Sequence, residues 1–422
     1  MARLGTIQLG GHINTDSNRT LNSGIGFFLD VESRISKVFS FNCGTNEAAS
    51  PHVDTWEVEV KEKHKSIVAR CSRSLNPDQI LKCGFEVCQK ALDLLSVVNR
   101  QNMILKDPGI SHVLLFKEEN EYVLREVSNM DLSFSIEASV TVRNKNGNIV
   151  PQPIPAEPEW LRTFRYYRLS QTTKDLYEAY RNLYLSFESA LSQVCPIKKR
   201  EREIDWLRRA LNGIKAEVNL SEYMPDENGV PKSAVDPVDY IIENQYKLSR
   251  LGLFHSKEDV ILPHALPNPE MLLKEHRRLI QIWYAIVSGY FNVPTGGGEV
   301  TDQGFKDLMS RAFDNGYMFQ VTDDPTPSEP DDSVVSPLNY PVISFNDFKF
   351  EKDYALGQVL LTGRLERVDL GKVELIHRIG LVKDCLITVE FIDDGLFVEG
   401  VDKIELNQVI RLINANNPKT DF

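Results

Sequence analysis

The sequence predicts an α+β multidomain protein built as three successive parts: an N-terminal α+β domain, a central all-α helical bundle and a C-terminal antiparallel β-rich domain. Three observations lead there. The chain has 422 residues, more than one core of roughly 100–200 residues accommodates. The apolar period changes from 2 to 3.6 near Thr172 and returns to 2 after Pro337. Proline-rich stretches fall at both changes.

Residues 1–150 are read as the α+β domain. Short runs rich in β-branched and aromatic residues recur there, among them IGFFLDV, KVFSFN, TWEVEV, SIVARC and HVLLFK, and such runs between turn residues predict strands. After Asn76-Pro77-Asp78, apolar residues at Ile80, Leu81, Phe85, Val87, Cys88, Leu92, Leu95 and Val98 predict one amphipathic helix with an N-cap. Four prolines between Pro151 and Pro158 exclude regular structure and mark a linker.

Residues 159–298 are read as the bundle. Beyond the Thr172/Thr173 cap, Leu176, Ala179, Tyr180, Leu183, Phe187, Ala190, Leu191 and Val194 form one helical stripe. Further helices are predicted in EREIDWLRRALNGI, VDYIIENQYKLSRLGLF and EMLLKEHRRLIQIWYAIVSGYF. Residues 299–336 form an acidic, proline-rich linker region, with five carboxylates and three prolines between Thr322 and Asp332. Residues 337–422 return to strands, and VDLGKVE and IDDGLFVEG are hairpin signals that predict antiparallel pairing. With no internal repeat at a fixed period, the two β-rich regions are read as different domains.

Composition narrows the function. The net charge of −12 argues against coating nucleic acid or an anionic membrane by bulk electrostatics. The start MARLGTIQLGGHINTD lacks a signal-peptide pattern and no window approaches 18 apolar residues, so export and membrane spanning are not expected. The six cysteines have no CxxC spacing and read as reduced thiols of a cytoplasmic protein. The eight histidines are scattered with no HExxH, so neither a metal site nor a cofactor is predicted. TGGGE at Thr295–Glu299 lacks the phosphate-loop pattern, and no GxSxG elbow occurs.

Two features remain. The segment 159–215 carries 12 Lys plus Arg against 7 Asp plus Glu, with Trp160, Phe164, Tyr166, Tyr167 and Trp206 interleaved. This mixture suits RNA, whose phosphates need cations and whose bases stack on rings; a solvated helix face laced with Glu/Arg pairs has the same composition. The second feature is RLGLFH, which places Arg250 five residues before His255 at the end of a predicted helix. An imidazole moves protons near neutral pH and a guanidinium grips phosphate through paired donors, so the pair suits RNA cleavage without a metal. The same pair also fits the tail of an ordinary core helix.

FRYYRLSQTTKDLYEAYRNLYLSFESALS, EIDWLRRAL and YKLSRLGLFHSK, within about residues 159–291, resemble the HEPN superfamily, and among it the methylamine-utilisation J-like and Apea-like HEPN proteins. The resemblance implies a HEPN-like helical bundle and a metal-independent endoribonuclease, in antiviral defence or stress response. In that reading Arg250 clamps phosphate, His255 is the acid/base, and Lys257, Arg277 and Arg278 are further RNA contacts. It also implies a homodimer through the helical domain, with the flanking domains binding a protein partner or trigger. Leu251 departs from the polar residue that commonly follows the arginine in active members. A non-catalytic scaffold that binds protein or nucleic acid is therefore the rival expectation. The wide apolar band of the last helix, from Ile280 to Phe291, fits either a dimer interface or burial within one chain.

Overall fold

The structure, a computed structural model, describes residues 2–13, 19–45, 52–132, 141–150, 159–173, 175–225, 236–254, 270–293, 300–314, 316–326, 343–345, 347–355, 357–366, 374–383 and 385–413. The chain separates into two compact units. One joins Met1–Leu132 to Asp302–Leu412; the other comprises Ser133–Thr301 and Ile413–Phe422. The predicted linker at 151–158 and the 327–336 part of the predicted linker region 299–336 lie outside the described residues; the earlier part of that region is not a linker, since it holds a helix at Asp302–Phe313 and a strand at Met318–Thr322.

The first part of the β-rich unit runs β1 (Arg3–Leu4), β2 (Ile7–Gln8), β3 (Gly11–Ile13), β4 (Arg19–Leu21), β5 (Ser23–Phe28), β6 (Lys37–Thr45), β7 (His52–Val60), β8 (Ser66–Cys71), α1 (Pro77–Asn99), β9 (His112–Glu118) and β10 (Glu121–Leu132). The helical unit follows with α2 (Arg162–Thr172), α3 (Leu176–Val194), α4 (Glu203–Ile214), a 3-10 turn at Leu220–Tyr223, α5 (Pro237–Tyr240), a π-helix at Ile241–Arg250, α6 (Leu251–Phe254) and α7 (Glu270–Phe291). The chain then re-enters the first unit with α8 (Asp302–Phe313), β11 (Met318–Thr322), β12 (Ile343–Phe345), β13 (Asp347–Ala355), β14 (Gln358–Glu366), β15 (Leu375–Val382), β16 (Leu386–Phe397) and β17 (Lys403–Leu412).

Strands from both ends of the chain share their sheets. The nine-stranded sheet has the order β13-β14-β17-β10-β9-β5-β8-β7-β6, and the six-stranded sheet has the order β12-β11-β15-β16-β1-β2. The join in the larger sheet is the parallel pair β10–β17, in register from Val123 opposite Lys403 to Leu132 opposite Leu412. A parallel pair cannot be closed by a tight hairpin and needs a long crossover; here the crossover includes the Ser133–Thr301 part of the helical unit.

These pairings correct the fold class expected from the sequence. The molecule is mixed α/β and largely β-rich, with two large sheets. An N-terminal α+β domain, a HEPN-like all-α central bundle and a separate C-terminal antiparallel domain are not evident as three bodies. The physical reason is that alternation of apolar residues reports which faces of a strand are covered, and carries no information about which distant strand lies beside it.

Local chemistry explains the elements. Asn76 caps α1, its side chain accepting from the Gln79 N–H while the Gln79 side chain accepts from the Asn76 N–H, so two end donors are satisfied reciprocally. The helix buries Ile80, Cys83, Phe85, Val87, Cys88, Leu92 and Leu95 against β5 to β9. Gly24 on β5 admits a close approach, because a Cβ there would stand 1.9 Å from the Leu9 carbonyl oxygen. In the helical unit, the α3 stripe from Leu176 to Leu191 packs with Trp206, Leu207 and Leu211 of α4 and with Leu279, Ile282, Trp283 and Ile286 of α7 in one core. Ile280, Ile282, Trp283, Ile286 and Val287 are all buried inside this unit. Most of the apolar band that suggested a dimer interface is therefore spent within one chain.

Candidate functional site

The site grows from the end of the π-helix. Asp236 caps α5 by accepting from the Val238 and Asp239 N–H groups, with Pro237 at the first position where its missing donor costs nothing. The chain then widens into π geometry over ten residues, where single π turns are the rule and functional sites are frequent. The wide turns persist to the end: the Leu251 N–H bonds the Tyr246 carbonyl, and the Ser249 hydroxyl donates to the Asn244 carbonyl at 2.7 Å. Buried Gln245 anchors the middle. Its amide donates to the Glu275 carboxylate and main-chain carbonyl, and its oxygen accepts from the Tyr180 hydroxyl at 2.6 Å.

This segment delivers Arg250 into a cluster assembled from three elements. Its Nη2 lies 2.7 Å from Oε1 of Glu203 in the first turn of α4, a location that also favours a carboxylate through the helix dipole. The guanidinium carbon sits 5.1 Å from the Tyr246 ring centre and 5.9 Å from that of Tyr184, within the reach of cation–π attraction. The Tyr246 hydroxyl donates to Glu203 Oε2 at 3.1 Å.

Glu188, one helical turn beyond Tyr184 on α3, completes the cluster. Its carboxyl is raised to about 8, chiefly by burial and then by the hydrogen bond with Glu203, with Arg250 opposing both. A second negative charge beside Glu203 is costly, which favours the protonated form of Glu188. Glu188 and Glu203 line an open cavity of about 580 Å³ together with Arg162, Tyr166, Ser189, Ser192 and Trp206. The arrangement thus offers a proton donor near neutral pH and a carboxylate at the wall of a cavity of small-molecule size, with the Arg250 guanidinium bonded to that carboxylate.

The other expected residues stand elsewhere. His255 and Lys257 lie outside the described residues. Arg277 and Arg278 line a different, smaller cavity of about 240 Å³ with Glu222, Tyr223, Met224, Lys274 and Gln281. Arg278 bonds both Glu275 and the Tyr240 hydroxyl, so part of its capacity is structural. Along the basic segment, Arg202 pairs with Asp205 at 2.6 Å, Arg208 with Asp239 at 2.5 Å and Arg209 with Glu201 at 2.7 Å, the pattern of a solvated helix face. Among the described residues, no group of three or more His, Cys, Asp or Glu side chains is arranged to hold a metal ion, and no helix is long and apolar enough to cross a membrane.

Sequence reasoning missed Glu188 and Glu203. The only signal was position: Glu188 follows Tyr184 by four residues at the edge of the α3 stripe, where a carboxylate is drawn towards the core. It also missed His276 on α7, which is fully buried and held down to about 3 by burial, with neither ring nitrogen hydrogen-bonded among the described residues.

Comparison with protein-family models, with curated proteins and with solved structures finds no match to this chain.

Proposed function

We propose that the helical unit is a metal-independent endoribonuclease whose centre is the Arg250–Glu203–Glu188 cluster. The observation that carries this reading is Glu188, a carboxyl that keeps its proton to about pH 8 at the wall of an open cavity. In this mechanism an RNA phosphate is held by Arg250, the 2′-oxygen attacks phosphorus, and the 2′-hydroxyl proton passes to His255. The bond to the 5′-oxygen breaks, and Glu188 supplies the proton that this leaving oxygen takes, so the products are a 2′,3′-cyclic phosphate and a free 5′-hydroxyl. DNA, which lacks the 2′-hydroxyl, is left intact.

Arg250 is already engaged by Glu203, and magnitudes decide whether phosphate competes. A partly exposed ion pair contributes about 0–1 kcal/mol, whereas hydrogen bonds to a charged group contribute about 1.5–3 kcal/mol each. A phosphate that accepts two such bonds competes with Glu203 for the guanidinium.

A second reading has its own support. Arg250 satisfied by Glu203, and the basic segment neutralised by its own carboxylates, fit a non-catalytic module that binds a protein partner or a second copy. Incubation of the full chain with mixed RNA in EDTA separates the two. Cleavage with cyclic-phosphate ends, lost in His255→Ala and largely lost in Arg250→Lys, is expected, because an ammonium does not reproduce the planar grip. If the folded wild type leaves RNA uncut, or folded His255→Ala cuts as fast as wild type, the catalytic reading fails and the binding module stands.

A further inference from the structure

A second site lies in the β-rich unit, on the larger sheet. Ile25, Leu114 and Arg125 are directly opposed across β5, β9 and β10, so they share one face of it. Helix α1 covers part of that face, its Gly84 closing against Ile25. Beyond β9 the same face turns polar, carrying Arg125 on β10, Glu405 and Asn407 on β17, Thr362 and Arg364 on β14 and Lys349 on β13. These side chains, with Leu360, Glu351 and Phe348, line a cavity of about 430 Å³.

Its charge is unevenly matched. The Glu405 side chain is only 8% exposed and takes two guanidiniums: Arg125 Nε at 2.7 Å on Oε2 and Arg364 Nε at 3.1 Å on Oε1. Further along the same face, Arg411 holds Asp131 across the strands at 2.8 and 2.9 Å, as in a cross-strand ladder. Arg364 Nη2 also reaches Glu118 at 3.3 Å, but Glu118 is half exposed, where water screens it. Lys349 and Glu351 form an exposed pair at 3.5 Å. Both arginines spend their Nε edges on Glu405, and among the described residues the Nη atoms of Arg125 and Nη1 of Arg364 have no protein acceptor. One buried carboxylate thus holds two planar donors in fixed orientation at a cavity wall, with one positive charge in excess.

We propose that this open half of the sheet binds a small molecule with an oxyanion head, a phosphate monoester or a carboxylate, gripped between Arg125 and Arg364. Lys349 supplies further attraction, Thr362 and Asn407 supply polar contacts, and Leu360 faces the apolar body of the ligand. The volume lies within the range of small-ligand sites, and guanidinium donors match both oxyanions.

Isothermal titration of the full chain with phenyl phosphate, benzoate and inorganic phosphate tests it. Saturable binding at one site per chain is expected for phenyl phosphate or benzoate, and which of them binds assigns the head group. Lys349→Glu, at a position whose side chain is 75% exposed and outside the ion-pair ladder of Glu405, should weaken binding about tenfold with the fold intact. Arg364→Gln should weaken it at least as much. No saturable binding to any probe, or equal binding by wild type and Lys349→Glu, overturns the proposal.

Discussion

Glu188 is the residue whose environment has the clearest measurable consequence. Its ordinary carboxyl value of 4.5 is raised to about 8 in the folded chain, so folding favours the protonated form. That contribution is fully present below about 4.5 and is lost as pH rises through 8. Thermal melts of wild type and Glu188→Gln across this window should therefore diverge, with the variant gaining relative stability towards alkaline pH. Parallel curves would show that Glu188 titrates as an ordinary surface carboxyl. Gly24 carries a steric constraint at the same scale. The Cβ of Gly24→Ala would fall 1.9 Å from a backbone oxygen, which no rotamer relieves, so a loss of about 3 kcal/mol or more in chemical denaturation is expected.

At the scale of elements, the π-helix depends on Gln245, which bridges Tyr180 of α3 and Glu275 of α7 while itself fully buried. Gln245→Ala leaves those groups without their partner in a dry core, at a cost of about 2–3 kcal/mol, and should also move Arg250 relative to Glu203. A variant that melts within about 1 °C of wild type would contradict this account, given several degrees per kcal/mol for a domain of this size. The helix α1 could be read from sequence because its start depends on neighbours in the chain: Asn76, Pro77 and Gln79 sit within four residues and cap it locally. The π geometry had no such signal. The run from Ile241 to Arg250 has an ordinary amphipathic composition, and the wide turn accompanies bonds made to Tyr180 and Glu275, which are 65 and 30 residues from Gln245.

At the scale of the molecule, β10 and β17 decide the outcome. Strand β10 lies inside the larger sheet only because β17, some 280 residues later, pairs with it. A chain ending at Leu132 exposes the entire β17 side of β10 and removes β16 from β1, so it should aggregate or remain unfolded. Circular dichroism and size-exclusion chromatography of residues 1–132 check this, and a monodisperse folded fragment would show that the first half stands alone. The same architecture explains why the sequence suggested three bodies. A linker in sequence separates domains in space only when no strand pairs across it.

What the sequence determined by itself is local: the capped helix α1, the strand character of runs such as SIVARC and QVLLTGRLE, the helical stripe of α3, and the acidic balance of the chain. Those follow from propensity, capping and periodicity, which act over a few residues. Only the tertiary structure decided that the two β-rich regions make common sheets, that Arg250 meets Glu203 and Glu188, and that Arg125 and Arg364 converge on Glu405. Each of these joins residues dozens to hundreds of positions apart. Long-range pairing is selected by complementary faces and by the closure of a whole core, a collective free energy to which no short window of sequence corresponds.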